Sequence, residues 1–281
     1  MKRWFVVVIL FVYSNVARTV MAQTVTLDYY YNRETRVDKA GQPMRFHYLW
    51  TDTTNTGFSK WGAIFTSKGA TLGALEEAPT LSNLRSTAVY IIVDPDNKKE
   101  NPAPNYISDT DADNISQWVK AGGKLVLMAN DSANVELPKF NILAHKFGLH
   151  FNNDVQNHVV DDTHFDDGTV FISNNPVFKT AKKAFMKDVC SIALTGNAKP
   201  VLKADNGATI AAIVRYGRGL VFAVGDPWLY NEYVNGRLPA GFDNDKAAAD
   251  LTTYILSHKQ TNKPVLTKPQ KTMIKKSQKS R

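Results

Sequence analysis

The chain contains one cysteine, Cys190, among 281 residues. A single cysteine excludes an internal disulfide, so the folded part has to be stable through packing alone. Cys190 lies in an apolar stretch, which is more typical of a small buried side chain than of a nucleophile.

The sequence also lacks a hydrophobic run long enough to span a bilayer, which requires about 20 apolar residues. The longest apolar run, residues 4–13, follows Lys2 and Arg3 and precedes small residues that end at Ala22. This pattern predicts a secretory signal peptide over residues 1–22, and hence a periplasmic or extracellular protein without a membrane span after cleavage. An uncleaved anchor is the alternative.

Acidic residues are absent from both ends of the chain. Residues 258–281 contain eight Lys or Arg, so most of the net charge of +8 lies at the ends and residues 23–257 carry about −3. A globular nucleic-acid-binding face is therefore not indicated. The basic segment 258–281 is expected to be a disordered, solvated tail, with a role as an interaction tail as the alternative.

Apolar patterning in residues 23–257 predicts one α/β domain. Strands are expected near residues 24–31, 89–93, 125–128 and 220–224, and helices near 55–65, 108–121, 138–147 and 243–257. Alternating strands and helices are the signature of a doubly wound parallel sheet. Between residues 149 and 214, shorter apolar runs separated by turn residues predict a β-rich elaboration, with antiparallel pairing as one arrangement.

Polar side chains follow three of the predicted strands. Since the carboxyl ends of parallel strands meet at one edge of a sheet, we expect a ligand site there. Carboxylates and amides suit sugar hydroxyls, and an aromatic ring can stack on a pyranose face. The alternative is that Asp94 and Asp226 cap turns and that Trp228 belongs to the core. The predicted ligand-binding residues are Asp94, Asp96, Asn130, Asp131, Asp226, Trp228, Tyr230 and Asn231.

Two glycine-containing segments, residues 118–127 and 217–228, carry a family resemblance. With them the chain resembles a bacterial, exported family of class I glutamine amidotransferase-like domains of unknown function. It is similar to the accessory domain of some unsaturated rhamnogalacturonyl hydrolases, which trim pectin fragments. The resemblance implies a flavodoxin-like fold and a carbohydrate-related setting. It does not imply amidotransferase activity, because the turn after residues 125–128 lacks the nucleophilic cysteine of glutamine amidotransferases proper.

Other groups could carry chemistry. Ser132 occupies the position of an elbow nucleophile, although Asn130 and Asn134 stand where such a turn needs glycine; loop stabilisation or ligand binding is the alternative. The segment 158–167 is rich in His and Asp, which gives weak metal candidates in His158, His164 and Asp161 against a solvated turn. We expect neither a cofactor nor a resident metal.

These observations predict an exported accessory or binding protein in the processing of pectin-like, uronate-containing glycans. Its partner would be an oligosaccharide or a glycan-degrading enzyme. The alternative is a hydrolase of uronate-containing oligosaccharides, for which Asp226, Glu232 and His158 are the candidate acid-base groups.

Overall fold

The computed structural model describes residues 22–131, 133–161, 163–234 and 237–258. Residues 1–21 of the predicted signal peptide and residues 259–281 of the predicted basic tail lie outside the described residues, as do Ser132 and Asp162. In the ranges described, no helix is both long and apolar enough to cross a membrane.

The chain folds as an α/β protein, as the sequence predicts. The strands are β1 (Thr24–Asp28), β2 (Thr35–Val37), β3 (Pro43–Arg45), β4 (Thr71–Leu75), β5 (Val89–Val93), β6 (Lys124–Met128), β7 (Leu149–Phe151), β8 (Thr169–Phe171), β9 (Lys183–Phe185), β10 (Ile192–Leu194), β11 (Lys199–Lys203), β12 (Thr209–Tyr216) and β13 (Gly219–Val224). The helices are α1 (Ser59–Ser67), α2 (Asp109–Lys120), α3 (Leu137–His145), α4 (Asn231–Val234) and α5 (Asn244–Ser257), with a 3₁₀ turn at Phe165–Gly168.

A seven-stranded, mostly parallel sheet organises the molecule. Its strand order is β11-β12-β13-β6-β5-β1-β4. The pairs from β13 to β4 are parallel, whereas β12 pairs antiparallel with both β13 and β11. Three two-stranded antiparallel ribbons, β2-β3, β7-β10 and β8-β9, complete the strand pairing of the described residues. The β-rich elaboration predicted after residue 149 is therefore present, and it is antiparallel.

Alternate residues of the central strands point into two separate cores. On one face, Val89, Ile91 and Val93 pack in a cluster that includes side chains of α1 and α5. On the other face, Tyr90 and Ile92 pack in a cluster that includes side chains of α2 and α3. Burial on both faces explains why β5, β6 and β13 are continuous apolar runs.

Helix α2 begins at the position that its sequence predicts. The Ser108 side chain accepts a hydrogen bond from the Asp111 backbone N–H, and the Asp111 carboxylate accepts from the Ser108 backbone N–H. This reciprocal capping box satisfies two donors that the first turn leaves free. After the helix, Gly122 adopts a φ of 121°, which favours glycine and turns the chain toward β6.

Candidate functional site

The carboxyl ends of β5, β6 and β13 meet at one edge of the sheet. Val93 and Val224 both lie opposite Met128 in the register of their parallel pairs. The hydrogen bonding continues one residue further, because the Asp94 N–H donates to the Met128 carbonyl and the Ala129 N–H donates to that of Val224. The three polar loops predicted to converge therefore start side by side.

These loops border a cavity of about 300 Å³. Five of the eight predicted ligand-binding residues line it: Asp94, Asn130, Asp131, Asp226 and Tyr230. The described residues that complete the lining are His47, Tyr48, Thr56, Glu100, Asn134, Lys187, Asp188, Glu232 and Tyr233. The convergence of the strand ends is thus seen in the structure, whereas the binding of a ligand there stays a prediction.

Asp94 and two tyrosines form a buried hydrogen-bonded chain in the cavity wall. The Tyr48 hydroxyl donates to Asp94 Oδ2 over 2.6 Å, and its oxygen lies 2.9 Å from the Tyr230 hydroxyl oxygen. The two rings stack with centroids 5.4 Å apart. Because Tyr48 has a single hydroxyl hydrogen, Tyr230 has to donate to Tyr48 when Tyr48 donates to Asp94.

The environment of Asp94 favours its neutral form. Its side chain is buried, and this loss of solvation raises the pKa of the carboxyl well above its usual range, even though the Tyr48 hydrogen bond lowers it. The residue also has a φ of 46°, a left-handed conformation that Asp tolerates better than bulkier residues. Its N–H and carbonyl are both held, the carbonyl by the Asn32 side-chain amide at 2.8 Å. The carboxyl group is therefore fixed in position.

Asp226 is a second buried carboxyl group in the wall. Its Oδ2 accepts a hydrogen bond from the Lys187 backbone N–H at 3.1 Å. Burial raises its pKa to about 8, a shift that this hydrogen bond and the Lys187 charge oppose. At pH 7 an isolated group with that pKa is mostly protonated, so it can act as a hydrogen-bond donor or an acid. Burial likewise raises the pKa of Glu100 to about 7.

Sequence reasoning missed the part of the lining that long connections supply. His47 and Tyr48 precede α1 and have φ angles of 63° and 52°, and Asp188 has a φ of 52°. Large residues seldom adopt such angles, and no sequence pattern indicates them. Glu100 comes from the loop after β5, where the prolines at 102 and 104 indicated only a loop.

Trp228 corrects one prediction, because it does not offer a stacking surface. It is fully buried, and its ring packs edge-on against Phe178 at 5.7 Å between centroids. The apolar ring gains more from the core cluster that contains it than from exposure at the sheet edge. The alternative noted from the sequence, that Trp228 belongs to the core, is the one observed.

Asn231 and Asp96 are also occupied with structural contacts. The Asn231 side chain accepts from the Lys60 N–H and donates to the carbonyls of Asp52 and Thr54, which leaves little capacity for a ligand. Asp96 lies outside the cavity lining, where its Oδ2 accepts from the Arg33 N–H and the Asn101 amide. Both residues tie loops together instead of facing the cavity.

The remaining candidates divide between the cavity and the surface. Glu232 lines the cavity and pairs with Arg237. His158 has a side chain that is 69% exposed and lies outside the lining, although its Nδ1 is 2.8 Å from Oδ1 of Asp188, which does line the cavity. His164 pairs with Asp161 at the surface, 2.7 Å apart. Among the described residues, which omit Asp162, no group of three or more His, Cys, Asp or Glu could hold a metal ion.

No family model and no curated protein matches this sequence. The fold is nevertheless similar to solved structures. The N-terminal domain of mmIFT52 has a TM-score of 0.62 at 15% identity, over 84% of this chain and 98% of that one. Cytoplasmic protein STM1381 from Salmonella typhimurium LT2 has a TM-score of 0.56 at 10% identity, over 84% and 99%.

A β-galactosidase from Rahnella sp. R3 has a TM-score of 0.51 at 14% identity. The match covers 85% of this chain but 32% of the β-galactosidase. At such low identities these similarities show a shared fold alone.

Proposed function

We propose that the cavity binds a sugar residue of a glycan, and that the chain is an exported binding or accessory protein in carbohydrate processing. The observation that carries this proposal is the meeting of Asp94, Asp131 and Asp226 with Asn130 in one cavity at the carboxyl ends of three adjacent strands. This is the edge at which open α/β sheets bind ligands.

The chemistry of the wall supports a polyhydroxylated ligand. Carboxyl and amide groups exchange hydrogen bonds with hydroxyls in both directions, and Asp226 with its pKa of about 8 can donate as well as accept. Tyr230, and not Trp228, is the predicted aromatic residue that lines the cavity, together with Tyr48 and Tyr233. The volume of about 300 Å³ is at the lower end of ligand pockets and suits one or two sugar rings.

The α/β fold of the chain also supports a proposal about its family. We infer a flavodoxin-like, glutamine amidotransferase-like domain without amidotransferase activity. Cys190 is fully buried, and burial raises the pKa of its thiol well above the usual range, which opposes a nucleophilic role. A similar fold forms about a third of the Rahnella β-galactosidase, in keeping with a domain that accompanies a glycan-degrading enzyme.

One observation favours the hydrolase alternative. Glycoside hydrolysis needs a carboxylic acid that stays protonated near neutral pH beside a second carboxylate. The raised pKa of Asp226 meets the first requirement, and Glu232 in the same lining could supply the second group. His158 is less suited, because its side chain is mainly in solvent.

A panel of neutral, amino and uronate oligosaccharides tests both functions. Binding is followed by calorimetry and product formation by chromatography, with wild-type protein and Asp226→Asn. If the chain is a binding protein, we expect a glycan to bind without cleavage. If it is a hydrolase, products should form, and Asp226→Asn should reduce the rate by at least about 100-fold. A protein that binds no glycan of the panel would contradict the proposal.

A further inference from the structure

The lining of the cavity is strongly acidic. Six carboxyl side chains face one lysine, Lys187: Asp94, Glu100, Asp131, Asp188, Asp226 and Glu232. Burial raises the pKa of three of these groups, Asp94, Glu100 and Asp226, so each can ionise when a cation binds beside it, whereas the lining offers an anion one lysine. An anionic sugar such as a uronate would place its carboxylate among these groups, so the lining opposes the uronate ligand that the sequence predicted.

One of these carboxyl groups has an oxygen without a partner. Asp94 is 3% exposed, and its Oδ2 is taken by Tyr48, whereas Oδ1 is buried and has no hydrogen-bond partner among the described residues. A buried carboxyl oxygen is costly to leave unpaired. A donor on the ligand that reached Oδ1 would remove this cost.

Aromatic rings lie beside the same group. Tyr48 and Tyr230 stack on each other next to Asp94, and Tyr233 also lines the cavity. Tyr48 and Tyr233 are buried, so the partly exposed Tyr230 is the ring among these three whose face can attract a cation or sugar carbons. An ammonium group offers three donors and no acceptor, which matches a carboxyl-rich wall better than a hydroxyl does.

The geometry points to an organic cation instead of a metal ion. Across the described ranges, no three His, Cys, Asp or Glu side chains are close enough to share a metal. The carboxyl groups are distributed around a space that holds a ring-sized molecule. A ligand with a body to fill the cavity and one charged group to meet Asp94 fits both observations.

We propose that the cavity selects a sugar with a free ammonium group, such as a 2-amino-2-deoxyhexose unit of a glycan. Its ammonium would bind at Asp94 beside the ring of Tyr230, with Asp226 and Asp131 on hydroxyls. This proposal rests on the proposed function, because it specifies the sugar that the same cavity binds.

Calorimetric titration with four probes at pH 6.5 tests the selectivity. The probes are a glucosamine tetramer, an N-acetylglucosamine tetramer, a galacturonate tetramer and putrescine, a diamine without a sugar. The first two differ in charge at the same carbon of the same ring. We expect the glucosamine tetramer to bind at least about tenfold tighter than the N-acetylated tetramer, and galacturonate to bind weakest.

Asp94→Asn tests the residue that carries the selectivity. Asn is similar in size and tolerates the left-handed backbone of this position, so the variant removes the ionisable group with little change in shape. We expect it to abolish the preference for the amine while changing the affinity for the N-acetylated tetramer less than about threefold. Asp28→Asn is the matched control: Asp28 is also buried at the end of a strand, but it lies outside the cavity, and its oxygens bond Tyr90 and Tyr31.

Proton release gives a second measurement that does not depend on a variant. Burial raises the pKa of Asp94, Glu100 and Asp226, and a bound ammonium should lower all three, so protons should leave the protein as the ligand binds. Calorimetry in two buffers with different heats of ionisation detects this release. The other titratable groups facing the site are His47, Tyr48, Asp131, Lys187, Asp188, Tyr230, Glu232 and Tyr233.

The outcomes separate this proposal from the proposed function. Equal affinity for the aminated and acetylated tetramers, or tighter binding of galacturonate, would overturn the amine selectivity and leave glycan binding in place. Binding of putrescine but of no tetramer would overturn both. A preference for the amine that survives in Asp94→Asn would overturn the role of Asp94. If this variant does not fold, the wild-type comparison of the four probes and the proton release decide.

Discussion

Asp226 destabilises the folded state by an amount that depends on pH. Its pKa rises from 3.8 to about 8 on folding, because burial disfavours the charged form. Below pH 4 the group is protonated in both states and has no effect. Between about pH 4 and pH 8 the unfolded state gains stability by ionising, so the free energy of unfolding falls as pH rises, by up to about 1.4 kcal/mol per pH unit from this group.

Asp226→Asn should remove this dependence. We expect the variant to gain stability relative to wild type as pH increases from 5 to 8, by about 1–3 kcal/mol in total once relaxation of the cavity is allowed for. Urea unfolding at several pH values measures the difference. The exposed Asp166 provides the control, as Asp166→Asn should follow wild type. A variant whose difference from wild type is the same at every pH would contradict the assigned pKa.

The burial of Trp228 leads to a prediction about stability. Its side chain is enclosed, packs against Phe178, and has an indole N–H without a hydrogen-bond partner in the described part of the chain. Trp228→Ala should lower the free energy of unfolding by about 3–5 kcal/mol, as expected for a large core truncation. Trp228→Phe should cost clearly less, because it keeps apolar volume and loses no hydrogen bond. Denaturant unfolding measures both, and equal stability of Trp228→Ala and wild type would contradict the core position.

At the scale of elements, the contact between α2 and β13 depends on a glycine. A Cβ added at Gly219 would lie 2.1 Å from the Val119 carbonyl oxygen and 2.3 Å from that of Gly123. Backbone atoms cannot move aside as a flexible side chain can, so the helix end and the strand would have to separate. We expect Gly219→Ala to lower the free energy of unfolding by about 1–3 kcal/mol.

Gly73 provides a matched control for this substitution. It also lies in the main sheet, in β4, but a Cβ there would meet its nearest neighbour, Thr26 Oγ1, at 3.5 Å, an ordinary contact. Gly73→Ala should change the stability by no more than about 0.5 kcal/mol. Equal losses for the two variants in chemical denaturation would show that steric contact with α2 is not the cause.

The elements that the sequence predicted correctly are those indicated by their own residues, such as an apolar run or a helix cap. Strands β5 and β13 are short apolar runs, and the start of α2 carries its own capping residues. Strand β4 was missed because Thr71, Gly73 and Ala74 give it little apolar character, and its pairing with β1 places it at the sheet edge. The ribbon β2-β3 was missed because its residues are mostly exposed and make no apolar pattern.

The residues of the candidate site were likewise predictable only where the local sequence places them directly after a strand. Asp94, Asn130 and Asp226 follow directly from the parallel strands, because their positions depend on strand ends alone. Tyr48 and Lys187 reach the cavity through long connections whose path is set by tertiary contacts. Trp228 and Asn231 were wrongly predicted to bind the ligand. The sequence does not show that Asp226 faces the cavity while Trp228, two residues later, faces the core.

At the scale of the whole molecule, the cavity is assembled from distant parts of the chain. Its lining extends from His47 to Tyr233, and the residues come from at least five connections around one sheet edge. Both cores support this edge, because Val93 and Val224 belong to one cluster and Leu127 and Ala223 to the other. The site should therefore be lost together with the fold, and ligand binding should raise the midpoint of unfolding.

The distribution of charge over the molecule leads to the last prediction. Residues 23–258 carry about −3, whereas residues 259–281 carry all of the excess positive charge that remains after removal of residues 1–22. In a protein that begins at residue 23, deletion of residues 259–281 should therefore reverse the net charge from about +5 to about −3 and abolish retention on a cation exchanger and on anionic polysaccharides at pH 7. The deleted segment is poor in apolar residues, so the thermal midpoint should change by less than about 2 °C. A fall of more than about 5 °C, measured by calorimetry beside the full chain, would show that the segment stabilises the domain, and unchanged retention would show that a basic surface of the domain itself binds the polymer.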